Sequence, residues 1–200
     1  MKRVAITAVP LLITVLVWAI SVPHLMWFGI REDVMQLFGA LALVGFGTSM
    51  IIATRLPVVA RLLGGQDKLT GVHKWLGVTA VGLVVVHLAT RLVLFALGDR
   101  MGMTPGTVHL PFSEAAATMF VALIAFAFWA RKVKYQTWLL VHKLMAVAYV
   151  CALAHYYVAS QLFPFGLSPF SIWMDIMALV GVASAIYSVL VIGRRPNPTD

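Results

Sequence analysis

GVHKWLGVTAVGLVVVHL, residues 71–88, is a largely apolar stretch that contains two histidines, His73 and His87. An imidazole inside a membrane segment is expensive to bury and usually marks a functional site. The two histidines are 14 residues apart, which corresponds to roughly 20 Å along a helix and returns to within ~40° of the same face. This is most of the ~30 Å hydrocarbon thickness of a bilayer. One helix would therefore present an imidazole at each of two membrane depths.

A second apolar stretch, WLLVHKLMAVAYVCALAHYY, repeats the arrangement over residues 138–157 with His142 and His155. Two helices that each offer a histidine at two matched depths form two bis-histidine sites, stacked across the membrane. Haem iron takes axial imidazoles, so we predict two haems as the occupants. The step of 13 residues leaves this second pair ~140° apart on an ideal helix. The segment then requires a local distortion, a strong tilt, or porphyrins approached from different sides.

The composition indicates an integral membrane protein with the lipid bilayer as its surroundings. Of the 200 residues, 62% are hydrophobic and 11% are charged, and the mean hydropathy is +0.95. A soluble domain carries about 25% charged residues. The net charge of +8 does not indicate a nucleic-acid partner, because the charges cluster between the apolar segments. The single cysteine, Cys151, excludes an intrachain disulfide.

The hydropathy pattern predicts an all-α fold, an integral membrane bundle of six transmembrane helices in one domain over residues 1–200. The predicted spans are roughly 4–28, 34–53, 72–97, 115–130, 138–160 and 172–193. Each is close to the ~17–25 residues that cross a bilayer. The first apolar stretch is too long for a signal peptide, so we interpret it as a retained helix that bends near Pro10 or Pro23.

The basic residues of the loops predict the orientation, with both termini in the cytoplasm. Twelve fall on one side and three on the other: Lys2, Arg3, Arg55, Arg61, Lys68, Lys74, Arg131, Lys132, Lys134, Lys143, Arg194 and Arg195 against Arg31, Arg91 and Arg100. This topology pairs His73 with His142 at an inner, cytoplasmic haem, and His87 with His155 at an outer one. It requires the third and fifth spans to be neighbours that run in the same direction.

Several residues beside the histidines have two interpretations. Arg91, one turn beyond the deeper histidine of its segment, either pairs with a propionate of the outer haem or snorkels to the interface. Lys74 and Lys143 adjoin the inner histidines and either hold propionates or, as we favour, only mark the cytoplasmic boundary. The small side chains of Gly77 and Gly82 would admit a flat macrocycle, but small residues also mediate ordinary helix packing in membranes.

Two further histidines, His24 and His109, are interpreted as loop or interface residues on the outer side. Met101 and Met103 precede His109 in that loop, and thioether and imidazole groups suit copper. Two methionines and one histidine are too few donors for us to assign a metal site there. We assign no catalytic side chain.

The two histidine segments resemble the ferric reductase-like transmembrane domain, which is shared by NADPH oxidases, ferric and cupric reductases and their bacterial relatives. The family pattern has two histidines with thirteen residues between them on the third helix, and two with twelve between them on the fifth. Both spacings are present here. The resemblance implies two b-type haems that carry electrons outward from the cytoplasm. It also implies the inner membrane of a bacterium as the location.

The resemblance further implies an electron donor and an acceptor. Larger family members carry a cytoplasmic flavin- and nicotinamide-binding module after the sixth helix. This sequence ends at Asp200 with no G-x-G-x-x-G motif, so we expect no such module within residues 1–200. FAD or FMN would come from a cytoplasmic flavin reductase or from a missing flavin domain. The resemblance thus implies either an oxidoreductase membrane domain or an electron-carrying subunit. The outer acceptor would be oxygen, a metal chelate or a periplasmic reductase.

Three alternative functions remain open at this point. One is the haem-binding membrane subunit of the periplasmic methionine sulfoxide reductase system, whose third helix usually lacks the histidine present here as His73. Another is a dihaem cytochrome b that oxidises quinol. The third, from a different class, is a transporter without haem that uses the histidines as a proton relay, with Asp175 as the main intramembrane acid.

Overall fold

The computed structural model describes residues 2–21, 27–100, 111–129, 132–159 and 167–190, and the regular structure in these ranges is entirely helical. This confirms the all-α prediction. The helices are α1 (Lys2–Ser21), α2 (Trp27–Ala53), α3 (Pro57–Leu62), α4 (Gln66–Arg100), α5 (Pro111–Trp129), α6 (Tyr135–Ala159) and α7 (Pro169–Leu190).

Four of these helices are long and apolar enough to cross a membrane by themselves. Their apolar spans are Val34–Ala53, Gln66–Val93, Tyr135–Val158 and Pro169–Leu190, and a shorter apolar helix covers Ala5–Ser21. Many large apolar side chains on these helices are exposed on the outside of the bundle. In water such a surface would be costly, so the outside of the bundle is built to face lipid.

The helices extend beyond some of the spans predicted by hydropathy. The first was predicted over 4–28; α1 covers Lys2–Ser21 and runs through Pro10, while Pro23 lies outside the described residues. The second was predicted over 34–53, and the apolar span of α2 is Val34–Ala53, within a helix that covers Trp27–Ala53. Hydropathy locates the edge of the apolar stretch, whereas a helix continues into polar residues for as long as its backbone hydrogen bonds are satisfied.

The short helix α3 was not predicted. Pro57 stands at its first positions, where its fixed φ suits a helix start and its missing N–H removes no hydrogen bond. Gly64 and Gly65, with φ of 81° and 116°, end it in the left-handed region that favours glycine. Its buried Ala60 packs into a small apolar cluster with the ends of α2 and α4.

Helix α2 lies at the centre of the bundle and positions the other elements. It packs along α4 on one side and α7 on another, while α6 packs along α5. Gly45 of α2 allows a close approach to α4, since a Cβ there would lie 3.2 Å from the Cβ of Ala80. Helices α4 and α6, which carry the four histidines, make little direct backbone contact with each other. Their facing sides are therefore available to side chains or to a bound group.

Candidate functional site

The histidines predicted to form the inner pair lie next to each other. The ring centres of His73 on α4 and His142 on α6 are 5.9 Å apart, and the ring planes are inclined by 78°. Both residues lie in the first half of their helix, and His155, late in α6, is within electrostatic reach of His87 further along α4, so α4 and α6 run in the same direction. Two imidazoles on opposite sides of one metal ion have bonding nitrogens about 4 Å apart and ring centres about 6 Å apart. The observed separation fits a shared metal.

Helix α2 holds the His73 ring by its Nδ1 atom. This atom lies 3.1 Å from the backbone carbonyl oxygen of Ser49 and 2.9 Å from the Ser49 hydroxyl. A carbonyl oxygen can only accept, so Nδ1 carries the hydrogen and donates it. The neutral ring then has its lone pair on Nε2, which is the usual arrangement of a metal-binding histidine.

The second histidine of α4 is held in the same way. Nδ1 of His87 lies 2.9 Å from the carbonyl oxygen of Met35 on α2, to which it donates. Gly39 makes this approach possible, because a Cβ at that position would lie 3.2 Å from two atoms of the His87 ring. Both α4 histidines are therefore hydrogen-bonded to α2 through Nδ1, and their Nε2 atoms can bind another partner.

The first histidine of α6 is held by ring packing. His142 stacks on Trp138, one turn earlier, with ring centres 4.8 Å apart and planes within 12°. A cavity of about 30 Å³ adjoins the two rings and is closed from the other side by Leu123 and Phe126 of α5. This stacking fixes the plane of the His142 ring while its edge remains free to meet His73.

His155 is the histidine with the least support from the protein. It is half-buried, and its Nδ1 atom is buried without a hydrogen-bond partner among the described residues. A buried polar atom without a partner costs about 1–3 kcal/mol. The side chain is within electrostatic reach of His87 and Arg91 on α4. The two outer histidines thus face the same region, and this ring has unused capacity to bind a group there.

The other residues singled out from the sequence are placed as follows. Arg91 is exposed on α4 and acts electrostatically on both outer histidines. Lys74 is exposed and Lys143 is half-buried. A Cβ at Gly77 or Gly82 would meet no atom within 4 Å, so open space lies beside both glycines. The histidines at positions 24 and 109 and the methionines at 101 and 103 lie outside the described residues.

Several contributors to this site were not identified from the sequence. Ser49, Met35 and Gly39 all belong to α2, a helix that contains no histidine, and two of them act through backbone atoms or through a missing side chain. Nothing in the local pattern of α2 marks these positions. The stacking of Trp138 on a histidine four residues later has a possible signal, since residues at this spacing share a helix face.

The donor set fits haem. The described residues contain no group of three or more histidine, cysteine or acidic side chains that could bind a bare metal ion. A haem requires only two axial ligands from the protein, because the porphyrin supplies the other four nitrogens. The 5.9 Å separation of the inner rings, the Nδ1 bonds of α4 and the unpaired nitrogen of His155 agree with such a group.

The comparison with known proteins identifies the family of the chain. No curated protein matches the chain. The sequence model described as the ferric reductase like transmembrane component matches residues 38–153, more than half of the chain. The match includes His73, His87 and His142, and it ends two residues before His155. The chain is therefore an integral membrane protein that belongs to the ferric reductase-like transmembrane family.

Proposed function

We propose that this protein carries electrons across a membrane through two b-type haems, one held by His73 and His142 and the other by His87 and His155. Family membership supports the general activity, membrane electron transfer. The observation that carries the assignment of ligands is the 5.9 Å separation of the inner rings. The similar depth of the outer histidines on the same two helices extends the assignment to the second site.

When bound, haem iron supplies one-electron redox chemistry. The chain contributes the rest. The Nδ1–H groups of His73 and His87 donate to carbonyl oxygens of α2, which fixes the ring orientation and raises the basicity of Nε2. Two histidines would hold each haem, so an acceptor would not need to bind the iron. The acceptor would take its electrons one at a time at the outer side of the protein.

The direction of transfer rests on topology. We propose six crossings with both termini in the cytoplasm, formed by α1, α2, α4, α5, α6 and α7. The exposed Arg55, Arg61 and Lys68 at the connection between α2 and α4 support a cytoplasmic position for that end of the bundle. The inner histidines open α4 and α6 and so lie at the same end.

The donor would be a reduced flavin, FAD or FMN, held by a cytoplasmic reductase or flavin domain. The acceptor would be oxygen, a metal chelate or a periplasmic reductase. Arg91, exposed and within electrostatic reach of both outer histidines, is proposed to pair with a propionate of the outer haem. A bacterial inner membrane would place donor and acceptor on the sides that this scheme requires.

The haem content of the detergent-purified protein tests the proposal. We expect two low-spin b-type haems per chain in oxidised and dithionite-reduced spectra. His87→Ala and His155→Ala should remove one and the same haem, and His73→Ala and His142→Ala the other. His109→Ala serves as the matched control, with both haems retained. One haem in the wild-type protein would favour the methionine sulfoxide reductase type of subunit, and none would contradict the proposal.

Reconstituted vesicles test the transfer itself. With a reduced flavin on one side and ferricyanide enclosed on the other, we expect wild-type protein to reduce ferricyanide. His87→Ala should stop the reaction, because the outer carrier is lost. Unchanged transfer by this variant would contradict the assignment of the outer site.

A further inference from the structure

A shallow apolar groove lies on the outside of the bundle. It has a volume of about 390 Å³ and runs between the end of α2 and the second half of α7. Leu56, Leu179, Val180 and Ala183 form apolar parts of its wall, and Tyr187 lies at one end. The stretch of α7 from 179 to 187 is about 12 Å long. The groove therefore has the shape and chemistry to accept a flexible hydrocarbon chain.

A basic residue adjoins the part of the groove wall that follows α2. Arg55 is exposed and lies between Thr54 and Leu56, which both line the groove. Its φ of 52° is in the left-handed region, which non-glycine residues seldom adopt. Its N–H donates to the carbonyl oxygen of Ile52 at 3.1 Å, and its own carbonyl oxygen accepts from the Gln66 side chain at 3.0 Å. The backbone of this arginine is thus held at both ends.

The charge of Arg55 is available to an external anion. The neighbouring Lys68 is paired with Asp67 at 2.6 Å. Across the described ranges, no carboxylate forms an ion pair with Arg55 or with Arg61 of α3. Of these two arginines, only Arg55 adjoins residues that line the groove. Basic residues at the end of a membrane helix attract the headgroups of anionic lipids.

We propose that this surface binds one anionic phospholipid, with an acyl chain in the groove and the headgroup phosphate paired with Arg55. The apolar length of the groove requires a chain, which a free phosphate ion lacks. The cation beside it favours a negatively charged ligand, which a quinone is not. None of the four histidines lines the groove, although Arg55 is within electrostatic reach of His73. Lipid binding here goes beyond the proposed function and does not depend on it.

Native mass spectrometry of the purified full chain, titrated with phosphatidylglycerol or phosphatidylcholine, tests this site. We expect one phosphatidylglycerol to bind more tightly than phosphatidylcholine. Arg55→Gln should weaken phosphatidylglycerol binding by about fivefold. Arg61→Gln is the matched control, since it removes the same charge from the same end of the bundle outside the groove, and binding should be unchanged. Equal losses in the two variants would overturn the proposal.

A second experiment tests the binding of the acyl chain in the apolar groove. Ala183→Trp fills the groove and should weaken the binding of both lipids; Ala183→Leu is the smaller filling to use if the tryptophan variant does not fold. Phosphatidylglycerol binding as in the wild type, in a folded variant, would overturn the proposal. Displacement of the lipid by glycerol phosphate would indicate a simple anion site, and displacement by decylubiquinone a quinone site. Either result would also overturn it.

Discussion

The two helices that carry the histidines hold them by different means. On α4, His73 and His87 each donate from Nδ1 to a backbone carbonyl oxygen of α2, at 3.1 and 2.9 Å. On α6, His142 is stacked on Trp138, and Nδ1 of His155 has no partner among the described residues. The α4 rings are therefore fixed in orientation and tautomer before anything binds, whereas the α6 rings are positioned by packing.

This difference gives the two helices separate parts in assembling the site. A hydrogen-bonded ring has one defined lone pair, so in the proposed arrangement α2 and α4 together would form a rigid half of each haem site. Helix α6 would complete both sites, and its contribution would depend on how closely it packs against its neighbours. Changes on α2 should therefore act on one haem at a time, while changes in the docking of α6 should act on both.

The largest selective effect is expected at Gly39. A methyl group there would lie 3.2 Å from the His87 ring, so Gly39→Ala should push the ring from the Met35 carbonyl, and Gly39→Val more so. We expect the outer haem to bind roughly 10–100-fold more weakly, the usual effect of losing the residues that support a metal ligand. The inner haem should be retained. The haem-to-protein ratio and the reduced spectrum measure both.

Gly71→Ala is the matched control for this prediction. It places the same methyl group on α4, where no atom lies within 4 Å of the new Cβ, and both haems should remain. Loss of both haems in Gly39→Ala would mean that the glycine supports the α2–α4 interface as a whole. That outcome would remove the distinction between the two halves of the site.

The packing of α6 against α2 and α7 depends on Tyr149 and is tested next. This side chain is 1% exposed and enters between α2 and α7, where its hydroxyl donates to the Met177 carbonyl oxygen at 3.4 Å. A Cβ at Gly181 would collide with that hydroxyl. Gly181→Ala should lower the free energy of unfolding by roughly 1–3 kcal/mol, the usual cost of overpacking, and reduce both haems together. Thermal unfolding and haem content provide the measurements.

Gly71→Ala controls for the change from glycine to alanine within a helix, because its new methyl group meets open space. We expect equal or slightly higher stability there, since alanine favours helix. If Gly181→Ala removed one haem and left the other intact, α6 would not act as one unit. The difference between the hydrogen-bonded rings of α4 and the packed rings of α6 would then apply to each site separately.

The sequence predicted the all-α fold and the two histidine segments because hydropathy and spacing are local properties. It did not predict the support of the rings. Met35 acts through a carbonyl oxygen and Gly39 through a missing side chain, and the register between α2 and α4 decides which residue faces which ring. The short helix α3 was also missed, since its six residues carry too little periodicity.

The ring stacking on α6 is expected to contribute less than the docking. Trp138→Leu removes the aromatic face on which His142 lies, 4.8 Å away. An aromatic pair contributes about 0.5–1.5 kcal/mol beyond its buried area, so inner haem affinity should fall by roughly 2–10-fold. Trp138→Phe should restore part of it. A haem dissociation assay with apomyoglobin as the acceptor measures the effect. Equal affinities for the leucine and phenylalanine variants would argue against a role for stacking.

The smallest effect is expected at Ser49, where His73 has two acceptors and the substitution removes only one. Ser49→Ala deletes the hydroxyl 2.9 Å from Nδ1 and leaves the carbonyl oxygen at 3.1 Å. A less basic imidazole favours ferrous iron, so the inner midpoint potential should rise. One hydrogen bond of about 0.5–1.5 kcal/mol corresponds to about 20–65 mV for one electron, and the remaining acceptor favours the lower end.

Thr48→Ala, which removes a hydroxyl bonded within α2, should leave both potentials unchanged. A fall in potential, or an equal shift at both haems, would show that α2 does not tune the inner site through this bond.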